Sequence, residues 1–221
     1  MKNIMFWLYV VIAILLIGLG YYYWQSKVTT SDEVNQTKNV TFNDKALQKK
    51  NKDQDMDIVM ISTPYQVTDN NNSVYEELKD RYDSLKFTEV MVSGASDQVD
   101  IKKITSAKPD LVIMDALTLN DFTENVSAED HNKQILDIID KLEAKDITVR
   151  VLGTRPSSDK DFNKYQQAEE KELVDSNVYT AQSDKWQSDD AMNDYYHKDS
   201  QLLTRKGLNR WIQTITDSLF K

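Results

Sequence analysis

The sequence predicts an α/β fold, a mostly parallel five-stranded sheet covered by helices on both faces. Three observations carry it. Short apolar runs recur at Asp57–Ser62 (DIVMIS), Asp110–Asp115 (DLVIMD) and Ile147–Leu152, the pattern of strands buried on both faces. Segments of helical period separate them, and that alternation marks parallel sheets. About 165 residues follow Asp57, enough for one such domain.

Taken in order, Asp57–Ser62 is the first strand. Ser73-Val-Tyr-Glu76 has capping-box spacing, and Val74, Leu78, Tyr82 and Leu85 continue one helical face. Phe87–Val92 is the second strand, Val99–Ile104 a short helix and Asp110–Asp115 the third strand. Residues 127–145 form a helix with Ile135, Ile138, Ile139 and Leu142 at i, i+3, i+4 and i+7. Ile147–Leu152 is the fourth strand. A polar helix covers 159–173, and 178–181 is a fifth strand. Thr204 caps a last helix carrying Leu208, Trp211, Ile212, Ile215 and Leu219. No internal repeat is evident.

Two further segments precede this domain. Ile4–Trp24 runs 21 residues without a charge and ends in Tyr21, Tyr22, Tyr23 and Trp24. A bilayer core needs about 20 apolar residues in a helix, and aromatic side chains favour its interface. No A-x-A-like cleavage site follows, so residues 1–24 read as an uncleaved transmembrane anchor. Lys2 on one side, with Lys27 and Lys38 on the other, leaves the orientation undecided by charge. Residues 25–54 are rich in Lys, Asn, Asp, Thr and Gln and read as a flexible polar stalk. Such a stalk spans roughly 30 Å root-mean-square. Residues 55–221 are the folded domain.

Composition narrows the function. The chain has 27 Lys and Arg against 36 Asp and Glu, and Lys2 is the one basic residue before position 25. An acidic domain of this kind does not suit nucleic acid or an anionic lipid surface. Without cysteine there is no disulfide framework or thiolate metal site. Nothing in the sequence calls for a cofactor or metal, and it gives no oligomeric state.

In an open parallel sheet, functional groups gather at the carboxyl ends of the strands. Those ends offer Ser62-Thr63-Pro64, then Ser93-Gly94-Ala95-Ser96, then Leu117-Thr118-Leu119-Asn120-Asp121. There are two histidines. His131, in Ser-Ala-Glu-Asp-His, reads as an exposed residue in the first turn of its helix. His197, in Asp194-Tyr-Tyr-His197, has an acid three residues before it that could orient an imidazole. D-x-x-H alone is a weak motif, but the strand ends add a hydroxyl, a glycine and an amide.

Together these blocks resemble the SGNH (GDSL-type) hydrolases over about Asp57 to the C-terminus. In that family a nucleophilic Ser ends the first strand, a Gly follows the second and a G-x-N-D block follows the third. A D-x-x-H motif precedes the last helix. The most specific match is Asp194-Tyr-Tyr-His197 with the following Leu203 to Trp211. The departures are the first block, where Gly and Asp are replaced as the strand runs into Ile61-Ser62-Thr63, and the third, where Thr118 stands for Gly.

The resemblance implies a three-layer α/β/α, flavodoxin-like fold and a serine esterase. Its catalytic set would be Ser62 (or Thr63, if the register slips by one), Asp194 and His197. The N–H groups of Ser62 and Gly94 and the amide of Asn120 would hold the oxyanion. The expected substrates are small acyl esters, such as O-acetyl groups, on cell-envelope carbohydrate, with the domain outside the membrane. The alternative is a degenerate member that serves as a binding or accessory module in surface-polysaccharide assembly.

Overall fold

A computed structural model describes residues 40–53, 55–65, 68, 73–82, 84–186, 194–197 and 202–221. The expected membrane anchor (1–24) and the first half of the expected stalk (25–39) lie outside the described residues. Among the described residues no helix is long and apolar enough to cross a membrane.

Five strands form one sheet: β1 Asp57–Ser62, β2 Lys86–Met91, β3 Leu111–Asp115, β4 Thr148–Leu152 and β5 Tyr179–Thr180. Their order is β2-β1-β3-β4-β5, and every pairing is parallel. The helices are α1 Lys45–Asp53, α2 Val74–Arg81, α3 Ile101–Ser106, α4 Thr118–Thr123, α5 Ala128–Glu143, α6 Lys160–Leu173 and α7 Arg205–Leu219. Side chains of a strand alternate between its faces. Ile58 and Met60 therefore join a core with Leu47 of α1, Leu78 of α2 and Trp211, Ile212 and Ile215 of α7. Val59 and Ile61 join a second core with Ile104 of α3, Ile135 and Leu142 of α5 and Leu173 of α6. This is the expected three-layer arrangement.

The caps read from the sequence are present. Ser73 Oγ accepts the Glu76 N–H at 3.1 Å, and Thr204 Oγ1 accepts the Gly207 N–H at 3.1 Å. Each such cap contributes about 1 kcal/mol.

Three expectations need correction. The stalk does not reach residue 54. Val40, Phe42 and Leu47 are buried, residues 45–53 are helical, and Lys221 N–H donates to the Thr41 carbonyl. Phe42 packs edge-on against Phe220 with centroids 5.1 Å apart, and Asp44 pairs with Arg150 at 2.8 Å. The segment looked polar because three apolar residues sufficed to dock it, each of the larger ones stabilising by about 1.5–3 kcal/mol. Residues 118–123, for which the sequence suggests no element between the third strand and the helix from 127, form α4. Its start follows Leu117, which sits in the left-handed region at φ 57°. Finally, His131 is not exposed: it has no solvent-accessible surface.

Candidate active site

The carboxyl ends of β1, β2 and β3 open into a cleft of about 310 Å³ between the sheet and helices α2 and α7. Ser62 is the last residue of β1, and its carbonyl accepts the Val92 N–H at 2.9 Å. It follows Met60 on the face turned toward α2 and α7, so its hydroxyl lies on the cleft wall with Thr63, Tyr75, Glu89, Asp115 and Trp211. Ser62 Oγ donates to Glu89 Oε1 at 2.5 Å. The hydroxyl's partner is thus a carboxylate on β2 rather than His197.

Asp115 ends β3, one step past the pairing of Ile61 with Met114. Burial pushes its carboxyl up to about 6, against the Leu117 N–H bond that favours the ionised form. That bond spans 2.8 Å. Arg155 follows β4, with its guanidinium 5.0 Å from the Trp211 ring and 5.7 Å from the Tyr196 ring.

The predicted oxyanion groups meet each other, but in a different role. Asn120 is fully buried. Its amide nitrogen donates to the carbonyls of Val92 at 2.9 Å and Gly94 at 2.7 Å. In this structure both amide hydrogens tie α4 to the loop after β2 instead of facing the cleft, where an oxyanion donor would point. Gly94 has its Cα covered by the Gln98 side chain, which a Cβ there would meet at 2.2 Å. Those atoms are the end of a flexible side chain that can move aside, so packing alone does not demand glycine at that position.

The left-handed backbone of the third block is at Leu117, not at Thr118. Leu119 lies on the wall of a second cavity, of about 460 Å³, beside Thr154 and Arg155.

Asp194 and His197 sit on the segment before α7, where Tyr196 bridges to Leu203. The Asp194 carboxylate pairs with Lys206 Nζ at an exposed position, so its observed partner is an ammonium rather than an imidazole. The His197 backbone N–H donates to the Leu202 carbonyl at 3.0 Å.

The strongest electrostatic feature lies on the opposite face of the sheet. His131 Nδ1 is 2.6 Å from Asp121 Oδ2, and Nε2 is 3.0 Å from Glu169 Oε2. Each ring nitrogen faces a carboxylate, so both carry protons and the ring is an imidazolium. Burial opposes that charge, but the bonds to Asp121 and Glu169 outweigh it and push the pKa up to about 9. Burial also disfavours the Asp121 anion, yet His131 and Ser96 hold its pKa below the ordinary value. Asp121 accepts both the N–H and the hydroxyl of Ser96 at 2.6 Å. Glu169 accepts from Thr118 and Tyr179, each at 2.6 Å. This network ties the loop after β2 to α4, α5, α6 and β5. Sequence reasoning missed it because the three ionisable partners come from separate helices. The one available signal was an ionisable residue at position 131 on the core side of α5, near Ile135 and Ile138. Among the described residues no group of three or more His, Asp or Glu side chains could hold a metal ion.

No protein-family model matches the sequence, and no curated protein matches it. Solved structures do. A psychrotrophic esterase, EstA, from Pseudoalteromonas sp. is 15% identical and superposes with a TM-score of 0.54, covering 74% of this chain and 96% of that one. The fold is that of the GDSL-type (SGNH) esterases. A GDSL-like lipase from Bacteroides thetaiotaomicron, 15% identical, gives a TM-score of 0.56 over 80% of this chain and 96% of its own. A family 3 carbohydrate esterase from Clostridium thermocellum, also 15% identical, gives 0.54 over 74% and 94%. At these identities the likeness to GDSL-type proteins is one of fold.

Proposed function

We propose that the protein is a serine esterase acting on small acyl esters, such as O-acetyl groups, of cell-envelope carbohydrate. The observation that carries this reading is Ser62: its hydroxyl lies on the wall of a cleft at the carboxyl edge of a GDSL-type sheet, hydrogen-bonded to a carboxylate. Tyr75 and Trp211 give the cleft aromatic walls, and Glu89 and Asp115 give it acceptors for sugar hydroxyls. In this reading residues 4–24 anchor the chain in the membrane and the domain faces outward, where a polymeric envelope substrate lies within reach.

A second reading, a non-catalytic module that binds such carbohydrate, is favoured by two observations. The amide of Asn120 is spent on Val92 and Gly94, and the carboxylate of Asp194 on Lys206. Hydrolysis of p-nitrophenyl acetate and of acetylated oligosaccharides, by the full chain and by Ser62→Ala, separates the two. The esterase reading expects turnover that Ser62→Ala abolishes. Saturable oligosaccharide binding without turnover would establish the binding module instead.

A further inference from the structure

We infer that Glu89, and not His197, is the base that takes the proton from Ser62 Oγ; this rests on the esterase reading of the same cleft. A serine hydroxyl has a single hydrogen to donate. In this structure it goes to Glu89 Oε1 at 2.5 Å, a length typical of a hydroxyl bound to a carboxylate. The register makes the pairing a property of the sheet. Met60 lies opposite Glu89 and Ser62 opposite Met91. Glu89 is therefore one diagonal step from Ser62 on a neighbouring strand, and both side chains line the cleft. Both residues stand on strands, which hold them more rigidly than a loop would. On the other side, the acid expected to orient His197 is engaged with Lys206. The cleft's other titratable lining groups are Tyr65, Tyr75, Glu76 and Asp115, with no Lys, Arg or His among its described lining residues.

The step balances with Glu89 alone as proton carrier. Oγ attacks the ester carbonyl carbon, its proton passes to Glu89 Oε1, and the carbonyl electron pair moves onto oxygen. The tetrahedral species collapses, the bond to the alcohol oxygen breaks, and that oxygen takes the proton from Glu89. Water then gives a proton to Glu89 as it attacks the acyl-serine. The second collapse returns that proton to Oγ and releases the carboxylic acid.

The test is a pH–rate profile of p-nitrophenyl acetate hydrolysis by the full chain, beside Ser62→Ala, Glu89→Gln and His197→Gln. A fluorophosphonate is used in parallel to label the serine, read by mass spectrometry. Glu89→Gln is expected to lower kcat by about 10²–10⁴-fold, the usual contribution of a general base, with KM nearly unchanged. His197→Gln should stay near wild type. Wild-type activity should persist below the imidazole range, about pH 6.5, where a histidine base would be protonated. Glu89→Asp keeps the carboxylate but withdraws it by one methylene, and it should recover part of the labelling lost in Glu89→Gln. Glu89→Asp labelling no better than Glu89→Gln, at a native unfolding midpoint, would overturn the inference. So would full activity in Glu89→Gln with loss in His197→Gln. Turnover unaffected by Ser62→Ala, or no turnover and no labelling in wild type, would strike the esterase reading itself.

Discussion

Replacing His131 by Leu should cost about 3–5 kcal/mol, the usual penalty for removing one partner of a buried ion pair. The two carboxylates beside it, Asp121 and Glu169, lose the cation between them while Asp121 stays fully buried. The same network makes wild-type stability depend on pH in a stated direction. The folded pKa of His131 is about 9, raised from about 6.5 in an unfolded chain. A raised pKa means that the folded state holds the proton more tightly. The contribution is therefore complete below about pH 6.5 and lost as pH rises through about 9. At about 1.4 kcal/mol per unit, the loss is about 3 kcal/mol. Asp115, with a folded pKa of about 6, is fully ionised at the alkaline end and adds little slope above pH 7. The assay is urea unfolding of the full chain, followed by tryptophan fluorescence and circular dichroism, at several pH values from 7 to 10. Wild type should lose stability across that window, and His131→Leu should start lower and show no such alkaline loss. A wild-type midpoint flat from pH 7 to 10, or a His131→Leu penalty below about 1 kcal/mol, would refute the assignment of a buried imidazolium.

Other expectations concern separate features. Asp115→Asn should raise stability at pH 7 by up to about 3 kcal/mol, because the raised carboxyl pKa costs stability as pH climbs from about 4 through 6 and the amide oxygen can still accept the Leu117 N–H. An unfolding midpoint unchanged at pH 7 would contradict the burial of that charge. Phe42→Ala should cost about 3–5 kcal/mol, measured by urea unfolding, whereas a residue of a flexible stalk would cost nothing. Asn120→Ala should cost about 1–3 kcal/mol by taking its donor from the buried Val92 carbonyl and the half-buried Gly94 carbonyl. Measured at equal folded fraction, its kcat should match wild type; a fall of 10²-fold or more would restore Asn120 as an oxyanion donor.

The α/β class and the strands were legible because a strand buried on both faces has to be a short continuous apolar run. Asp57–Ser62 could be read to its last residue, and the caps at Ser73 and Thr204 were equally plain, since each satisfies backbone groups within three residues of itself. The blocks placed Ser62, Gly94 and Asn120 at the correct strand ends. What each side chain does there was not legible. A partner such as Glu89 or Lys206 is set by register and by packing between segments far apart in the chain, and no local pattern encodes it. For the same reason His131 was misread: Asp121 and Glu169 lie 10 and 38 residues away. The region from residue 40 was misread because docking needed Phe42 and Phe220, which sit at opposite ends of the domain.

The sequence by itself determined the layered α/β architecture, the acidic character and the expectation of an apolar anchor at residues 4–24, because these depend on composition and on periods of a few residues. Tertiary structure alone decided where the polar groups end up. It joined Ser62 to Glu89, turned Asn120 inward and buried a histidine between two acids. Those outcomes depend on which residues meet across the sheet, where a buried polar group must find a partner or incur a desolvation penalty.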